Sequence, residues 1–164
     1  MRYLVISDIH ANWEALEAVL KSAEGQYEQI LCCGDLIGYG ADPNAVVEWT
    51  REHCRAVIRG NHDKAGVNLA DLEWFNPVAQ TATIWTHHAL TAENMEYVAG
   101  LAAGPLQVED FCMVHGSPLN EDEYLINVAE AEEAFAYQPA QIVFFGHTHL
   151  QGGFEYQRDR KSVV

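Results

Sequence analysis

The sequence predicts an α/β fold in which a mainly parallel sheet is covered by helices on both faces. Three short apolar runs, at residues 3–7, 29–33 and 56–59, alternate with stretches of helical periodicity, and parallel neighbouring strands need such crossover helices. The chain has 164 residues, 49% of them hydrophobic, which suffices for one well-buried core but is short for two. We therefore expect one domain over residues 1–164.

The first half of the chain alternates strand and helix signals. Tyr3–Ser7 and Gln29–Cys33 are apolar runs that end in polar or small residues, as strands do. Apolar residues recur at helical spacing over Trp13–Leu20, after an asparagine suited to cap the helix. Pro43 begins a helical stretch through Trp49, and Ala56–Arg59 predicts a third strand that ends at a glycine.

The second half predicts more helices and at least two further strands. Residues 77–101 have helical periodicity with a break near residue 91, which indicates two helices. Residues 111–114 and 142–145 are apolar strand signals, and an acidic helical segment at residues 129–136 separates them. The tail at residues 152–164 has room for one more strand.

The charge of the chain argues against some partners. The formal net charge is −15, with only nine lysines and arginines. Bulk nucleic-acid binding needs many cationic side chains, so we expect none. The formal net charge omits bound metal ions, so carboxylates that bind divalent cations count as fully negative. Metal binding would therefore offset part of the negative charge.

The cysteines and the N-terminus indicate a cytoplasmic protein. The four cysteines have no CxxC spacing, and the adjacent pair Cys32 and Cys33 would point to opposite faces of a strand. We expect reduced, buried thiols, as in the cytoplasm. The apolar run near the N-terminus is too short for a signal peptide or a membrane span.

Each predicted strand ends in a small residue beside a side chain that can bind a metal. Ligands of open α/β sheets bind outside the carboxyl ends of the strands, so these endings can converge on one crevice. Asp35 has two carboxylate oxygens and can bridge two cations, and its glycine neighbours permit a tight turn. The endings are SDIH at 7–10, GD at 34–35, GNHD at 60–63, HG at 115–116 and GHTH at 146–149.

Spacing within these endings suggests shared ligation. Asp8 and His10 are two residues apart on a stretch predicted to be extended, so they project to the same side. His147 and His149 have the same spacing. Any one of these residues alone has an ordinary explanation, as a helix cap, a turn residue or a buried histidine. Five of the eight histidines fall inside the endings, however, which a solvated surface does not predict.

These residues resemble the calcineurin-like metallophosphoesterases, whose pattern is DxH, GDxxx, GNHD or GNHE, an isolated histidine often followed by glycine, and GHxH. The five motifs occur here in that order within residues 1–151. The stretches GDLIGYGADPN and VIRGNHD resemble in particular the small bacterial, phosphodiesterase-like members without a cap domain. The resemblance implies a four-layer αββα sandwich.

The resemblance also implies residue roles. Asp8, His10, Asp35 and His149 would hold one metal ion; Asp35, Asn61, His115 and His147 would hold the other. His62 would face the leaving-group oxygen, oriented by Asp63. Two cations about 3.5 to 4 Å apart acidify a water between them and bind phosphoryl oxygens. Oxygen and nitrogen ligands without thiolate suit Mn²⁺, Fe, Zn²⁺, Ni²⁺ or Mg²⁺, and Mn²⁺ is our choice.

Two departures from the family pattern qualify the resemblance. The protein-phosphatase branch carries an aspartate and an arginine after its GD, whereas this sequence has Gly38, Tyr39 and Gly40, which argues against a protein phosphatase. The family fold also has further strands after GHxH, and this chain ends fifteen residues after His149. Either the second sheet is incomplete or the sequence continues beyond residue 164.

Several polar and aromatic residues are interpreted as structural. His53 lies near a helix end, and at most one of His87 and His88 can face a cleft. Ordinary solvation is favoured for Arg59 and Lys64 over phosphate binding. Four aromatic residues could form a hydrophobic wall beside the site, but packing between helices explains them equally well: Trp74, Phe75, Trp85 and Tyr97.

The predicted function is metal-dependent hydrolysis of a small phosphodiester or phosphomonoester. The alternative is a non-catalytic metal-binding or protein-interaction scaffold, because some relatives on this fold act as scaffolds. A nuclease is disfavoured by the charge. Oligomerisation, the substrate and the metals in vivo stay open.

Overall fold

The computed structural model describes residues 1–157 and 160–163. In chain order the first half contains β1 (Tyr3–Ile6), α1 (Trp13–Ser22), β2 (Gln29–Cys32), α2 (Pro43–His53), β3 (Cys54–Val57), α3 (Asn61–Asn68), a short 3₁₀ helix (Leu72–Trp74), α4 (Pro77–Ala89) and α5 (Ala92–Ala99). The second half contains β4 (Leu106–Val108), β5 (Phe111–Met113), α6 (Val128–Ala136), β6 (Ile142–Phe144), β7 (Phe154–Gln157) and β8 (Arg160–Val163).

The helices begin where the local sequence dictates. The Asn12 side chain accepts a hydrogen bond from the Ala15 amide and caps α1, as predicted. Prolines occupy the first turn of α2 and α4, where no intrahelical partner for an amide is needed. Thr91 caps α5, which confirms the break between the two predicted helices.

The described strands form two three-stranded sheets and a separate two-stranded pair. The first has the order β1-β2-β3 and is parallel throughout. The second has the order β4-β5-β6, with β4 antiparallel to β5 and β5 parallel to β6. β7 and β8 form a separate antiparallel pair. The mainly parallel sheet expected from the alternation of strands and helices is present as β1-β2-β3, but only one of its faces is covered by helices, because the other packs against the second sheet.

The two sheets pack face to face around an apolar core. Leu31 and Ile58 of the first sheet layer contact Met113 of the second. Alternate residues face the other way, because side chains alternate along a strand: Cys32 packs against α1, α2 and α5, whereas Cys33 lies between the sheets. The predicted opposite orientation of the two cysteines is confirmed.

A helix layer covers each outer face. Helices α1, α2 and α5 cover the first sheet through buried residues such as Leu16, Val46 and Val98. α6 lies over the second sheet, where Ala134, Val143 and Phe145 border a cavity of about 250 Å³. The order helix, sheet, sheet, helix is the predicted αββα architecture. The sandwich is built from strands that are only three or four residues long.

Three elements differ from the sequence prediction. β3 begins at Cys54 rather than Ala56, and neither α3 nor β4 was predicted. The tail, predicted to hold one strand, contains both β7 and β8, although positions 158, 159 and 164 lie outside the described residues. In the described part of the chain, no helix is both long and apolar enough to cross a membrane.

Candidate metal centre

The seven predicted ligands lie at one end of the two packed sheets. Backbone hydrogen bonds join the loops that carry them: the Asp8 amide donates to Gly34 O at 3.0 Å and the His10 amide to Asp35 O at 2.9 Å. On the second sheet, the Gly146 amide donates to His115 O at 2.9 Å. Loops that are distant in sequence are thus held edge to edge, and their side chains meet.

One group of these side chains comprises Asp8, His10 and His149. One potential ligand atom from each lies within 4.8 Å of the others. His10 Nε2 is 2.9 Å from His149 Nε2, and His149 Nε2 is 3.4 Å from Asp8 Oδ1. Asp8 is fixed by the His147 amide, which donates to Asp8 Oδ1 at 3.0 Å.

The second group comprises Asp35, His115 and His147, whose potential ligand atoms also lie within 4.8 Å of one another. Asn61 lies beside them. The Asn61 side-chain oxygen is 3.1 Å from His115 Nε2 and 3.0 Å from His147 Nδ1. Asp35, Asn61, His115 and His147 are all buried. The structure thus brings the seven predicted ligands together, and a third group, His10, Asp35 and His62, links the first two.

Asp35 stands between the two groups and uses its oxygens differently. Oδ2 is 3.6 Å from His10 Nε2 and 3.3 Å from His115 Nε2. Oδ1 accepts a hydrogen bond from the His62 amide at 2.8 Å. A shared ligand was expected to use two oxygens, but this geometry leaves one oxygen facing both groups and the other held by the backbone.

The donor set fits divalent cations. His10 Nδ1 lies 3.1 Å from Ile37 O and His115 Nδ1 lies 2.8 Å from Cys33 O. A ring N–H that donates to a carbonyl leaves the opposite nitrogen with a lone pair, as in metal-binding histidines. Both Nε2 atoms point into the cluster. Ligands with metal bonds of roughly 2.1 Å at right angles lie about 3 Å apart, which is the separation of the facing nitrogens and oxygens here.

The pKa values of several ionisable groups in the cluster differ from their ordinary values. Burial opposes ionisation of Asp35, but the facing His115 and His10 rings hold its pKa well below its usual value. Burial lowers the pKa of His115, yet the Asp35 and Asp8 carboxylates outweigh burial and raise it to about 9. Burial lowers the pKa of His10 and of His147. A metal ion requires unprotonated ring nitrogens, so binding would displace the proton that His115 otherwise keeps.

Asp63 does not contact the ring that it was expected to orient. Its two oxygens accept four hydrogen bonds from the backbone amides of Gly60, Asp35, Leu36 and Ile37. His62 Nδ1 is buried without a hydrogen-bond partner. The predicted contact between Asp63 and His62 is therefore wrong, because the carboxylate is occupied in holding the Asp35 loop. Burial and the Asp35 charge raise the pKa of Asp63, and the amide bonds oppose that rise.

The backbone at the cluster is left-handed rather than extended. Asp8 and His10 have φ angles of 55° and 51°, so the extended stretch predicted for them is wrong. Asp35, His147 and His149 also have positive φ, at 54°, 66° and 54°. Non-glycine residues rarely adopt this conformation, and they concentrate at functional sites where the surrounding structure imposes it.

The residues set aside as structural have structural contacts. His53 stacks on Trp49 with ring centroids 5.0 Å apart, and His87 Nδ1 lies 2.8 Å from Gly66 O. Arg59 and Lys64 are not simply solvated, as was expected. The Arg59 guanidinium binds Glu121 with a closest distance of 2.9 Å, and Lys64 Nζ lies 2.8 Å from Asp71 Oδ2.

Other residues beside the cluster were not identified from the sequence. Tyr39 borders two clefts, one beside Asp8 and His149 and one beside Asn61. Tyr124 packs on His147 with ring centroids only 4.0 Å apart. The sequence feature that could have identified Tyr39 is its position between two glycines after the GD motif. A bulky side chain in such a turn is not needed for packing and can border a site. Tyr124 lies in a loop without a recognisable motif.

The fold and the polar cluster together define an α/β sandwich whose histidines and carboxylates could hold a metal ion. The family model for calcineurin-like phosphoesterases matches residues 1–151. The chain therefore belongs to the calcineurin-like phosphoesterase family.

Similar proteins support this assignment. The chain is 35% identical over 156 residues to an uncharacterised protein of Methanocaldococcus jannaschii, an alignment that covers 89% of this chain and 61% of that protein. The crystal structure of a metallophosphoesterase from Sphaerobacter thermophilus is 40% identical, with a TM-score of 0.81, over 93% of this chain and 62% of that one. The chain thus spans about three fifths of these relatives.

A more distant solved structure shares the fold alone. The cold-active protein-tyrosine phosphatase of a psychrophilic Shewanella species is 13% identical, with a TM-score of 0.61, over 90% of this chain and 65% of that one. At this identity the likeness concerns the architecture and says nothing about the substrate.

Proposed function

We propose that this chain is a metal-dependent phosphoesterase that hydrolyses a small phosphodiester or phosphomonoester with two divalent cations. One observation carries the proposal: Asp35 Oδ2 faces His10 Nε2 on one side and His115 Nε2 on the other. A buried carboxylate oxygen between two sets of nitrogen and oxygen donors is the arrangement that a pair of cations requires.

The ligand assignment follows from the two groups. Asp8, His10, Asp35 and His149 would hold one cation; Asp35, Asn61, His115 and His147 would hold the other. Bound cations supply positive charge for the phosphoryl oxygens and acidify a water molecule for attack. The donors are oxygen and nitrogen without thiolate, which suits Mn²⁺ and is compatible with Fe, Zn²⁺, Ni²⁺ and Mg²⁺. We propose Mn²⁺.

His62 is the proposed donor to the leaving oxygen. Burial lowers the pKa of His62 to about 4, so the ring is neutral near pH 7. Its Nδ1 lies beside the backbone of Gly38, where an added Cβ would be 2.6 Å away. We therefore place the N–H that would hydrogen-bond to the departing oxygen on Nε2. A neutral N–H stabilises charge on a departing oxygen by a hydrogen bond. Asp63 acts as a positioning residue through the Asp35 loop.

The remaining proposals concern context. Residues 1–164 would act as one domain in the cytoplasm, on a small phosphoester. The net charge of −15 argues against binding to bulk nucleic acid. No contact in the described residues favours the scaffold alternative over catalysis.

The test is hydrolysis of bis(p-nitrophenyl) phosphate by the Mn²⁺-loaded protein and by two variants. Asp35→Asn removes the charge of the shared ligand, and His62→Ala removes the proposed donor. We expect at least a hundredfold loss of kcat in each, because removing one donor to the developing charge costs about 10² to 10³ and Asp35→Asn would weaken both proposed cation sites. Full activity in both variants would contradict the proposed mechanism.

Matched controls separate chemistry from nonspecific damage. Asp110→Asn changes an exposed aspartate in the turn between β4 and β5, and His88→Ala changes an exposed histidine of α4. Both are expected to keep wild-type activity. Metal titration tests the scaffold alternative, because a protein that binds no divalent cation and hydrolyses no phosphoester would favour it.

A further inference from the structure

A cleft with aromatic walls opens beside the second ligand group. Its volume is about 520 Å³, within the usual size of small-molecule sites. Asn61, His62 and His147 form the side next to the proposed metals. We call it the aromatic cleft, after the four aromatic residues that border it: Tyr39, Trp74, Phe75 and Tyr124.

The walls of the aromatic cleft are packed onto the imidazoles of the site. The Phe75 ring centroid is 4.6 Å from that of His62, and the Tyr39 centroid is 4.8 Å from it. Tyr124 contacts His147 at 4.0 Å between centroids. Aromatic rings therefore lie directly against the imidazoles of the proposed reaction centre.

The outer part of the cleft exposes large aromatic side chains to solvent. Trp74 is 82% exposed and Tyr124 is 54% exposed. Burying such a side chain gains free energy, so exposure of an indole has a cost in the free protein that a bound apolar group would remove. Packing within the fold explains Phe75, which contacts His62, but it does not explain Trp74.

The charge of the cleft is neutral to acidic. Among the residues whose side chains the structure describes, those bordering the cleft include Asp71 and Asp122 but neither lysine nor arginine. The nearby basic groups are already ion-paired: Lys64, beside the cleft, binds Asp71 at 2.8 Å, and Arg59 binds Glu121 at 2.9 Å. A second phosphate group in this cleft would meet Asp122 and would have to compete with Asp71 for Lys64.

We infer that the aromatic cleft binds a flat aromatic ester group, such as a nucleobase-bearing or aryl alcohol, and disfavours a further phosphate. This inference rests on the proposed phosphoesterase function, which supplies the phosphoryl group at the metal centre. Because His62 lies at the inner end of the cleft, the aromatic group is the one that leaves. The substrate class is therefore a phosphoester of an aromatic or nucleoside alcohol, without a polyphosphate chain on that side.

The test compares probes that differ only in the aromatic part. AMP and ribose 5-phosphate are titrated by calorimetry into the full Mn²⁺-loaded chain. Stacking of one base on aromatic side chains changes affinity by roughly five- to a hundredfold, and we expect AMP to bind more tightly by such a factor. Phenyl phosphate against methyl phosphate shows whether an aryl ring suffices without a nucleoside. ATP is expected to bind no more tightly than AMP.

Variants at Trp74 assign the effect to the cleft. Trp74→Ala is expected to bring the AMP to ribose 5-phosphate ratio close to one, and Trp74→Phe to keep most of it. Because Trp74 is 82% exposed, its truncation removes little packing. Trp85→Ala, at a half-exposed residue of α4 outside this cleft, is expected to leave the ratio unchanged.

The outcomes separate this inference from the proposed function. Equal affinity for AMP and ribose 5-phosphate overturns the aromatic cleft, even in a protein that hydrolyses bis(p-nitrophenyl) phosphate. Much tighter binding of ATP than of AMP also overturns it. A preference for AMP that depends on Trp74, in a protein that hydrolyses no phosphoester, would support the cleft and refute the proposed function alone.

Discussion

Asp63 binds the backbone of the loop that carries Asp35, the proposed shared ligand. Asp63 Oδ2 accepts the Asp35 amide at 2.9 Å and the Gly60 amide at 3.0 Å, and Oδ1 accepts the amides of Leu36 and Ile37 at 2.9 and 3.2 Å. One side chain thus ties the start of α3 to the loop after β2. The aspartate of the GNHD motif acts on the shared ligand through the backbone rather than on the neighbouring histidine.

Asp63→Asn is expected to destabilise the protein and weaken metal binding together. Asparagine has the same shape, but its amide nitrogen would replace an oxygen that accepts two hydrogen bonds and would face two N–H donors. Leaving buried donors unpaired costs about 1 to 3 kcal/mol each, so we expect a loss of about 2 to 4 kcal/mol in the free energy of unfolding. Urea unfolding and Mn²⁺ titration measure the two effects.

The control for this change is Asp110→Asn, at an exposed position of a turn. It removes the same charge without touching the Asp35 loop. If Asp63→Asn unfolds at the same urea concentration as this control and binds Mn²⁺ equally well, the role assigned to Asp63 is wrong.

Gly60→Ala is expected to disturb the shared ligand directly. Gly60 has φ −99° and ψ 177°, which any residue adopts, so backbone strain is not the reason. An added Cβ would overlap Asp35 Oδ1 and lie 2.6 Å from Asp35 N. Asp35 must move to relieve this contact, and its Oδ2 then no longer faces both ligand groups. We expect at least a tenfold weaker Mn²⁺ affinity, measured by calorimetry.

Gly153→Ala provides the matched comparison, because an added Cβ there meets no atom within 4 Å. It tests whether adding a methyl group at a glycine has any general effect on Mn²⁺ affinity. Retained affinity in Gly60→Ala would show that the close contact with Asp35 does not fix the ligand.

Strands were predictable where an apolar run marks them in the sequence, and unpredictable where they form only because they pair with a neighbouring strand. β1, β2 and β5 lie in apolar runs that end at polar or small residues, and their positions follow from the sequence. β4 is only three residues long, Leu106–Val108, and is a strand because it pairs with β5. α3 starts at Asn61 without apolar periodicity, because Asp63 and the Gly60 amide fix its first turn.

The site was predictable as a set of residues but not as a geometry. The spacing of motifs identified side chains that the structure brings together, since the strand endings share one edge. No sequence pattern predicts a left-handed backbone at Asp8, His10 or His149, because these conformations depend on bonds between loops. The contacts of Asp63 and the ion pair of Arg59 with Glu121 are likewise tertiary.

The cysteines are expected to react slowly in the folded protein. All four are free, and three are buried. Burial raises the pKa of Cys33 and of Cys54 to about 12, above the ordinary 9.0. At pH 8 the reactive thiolate is therefore scarce, and the reagent has little access. A DTNB assay should modify less than one thiol rapidly in native protein and all four after unfolding in denaturant.

Cys54 is the first to react if any does, because it is only partly buried. Cys54→Ser should remove any residual reaction of the native protein. Rapid modification of two or more thiols without denaturant would contradict the packing of Cys32 and Cys33 on opposite faces of β2 and its extension.

Removal of divalent metal is expected to lower the melting temperature, because the ligand groups face one another at short distances. The Asp35 and Asp8 carboxylates and the His10 and His149 nitrogens lie 2.9 to 4.0 Å from their facing partners. A cation that binds only the folded state at a hundred times its Kd adds about 2.7 kcal/mol. For a chain of this length that corresponds to about 5 to 10 °C.

The measurement is the melting temperature of chelator-treated, dialysed protein with and without added Mn²⁺. Asp35→Asn should lose most of the Mn²⁺-dependent rise, because the shared ligand contributes to both proposed sites, whereas Asp110→Asn should keep it. A melting temperature that stays the same from metal-free to Mn²⁺-saturated wild-type protein would contradict the centre. A rise that persists in full in Asp35→Asn would place the bound metal elsewhere on the chain.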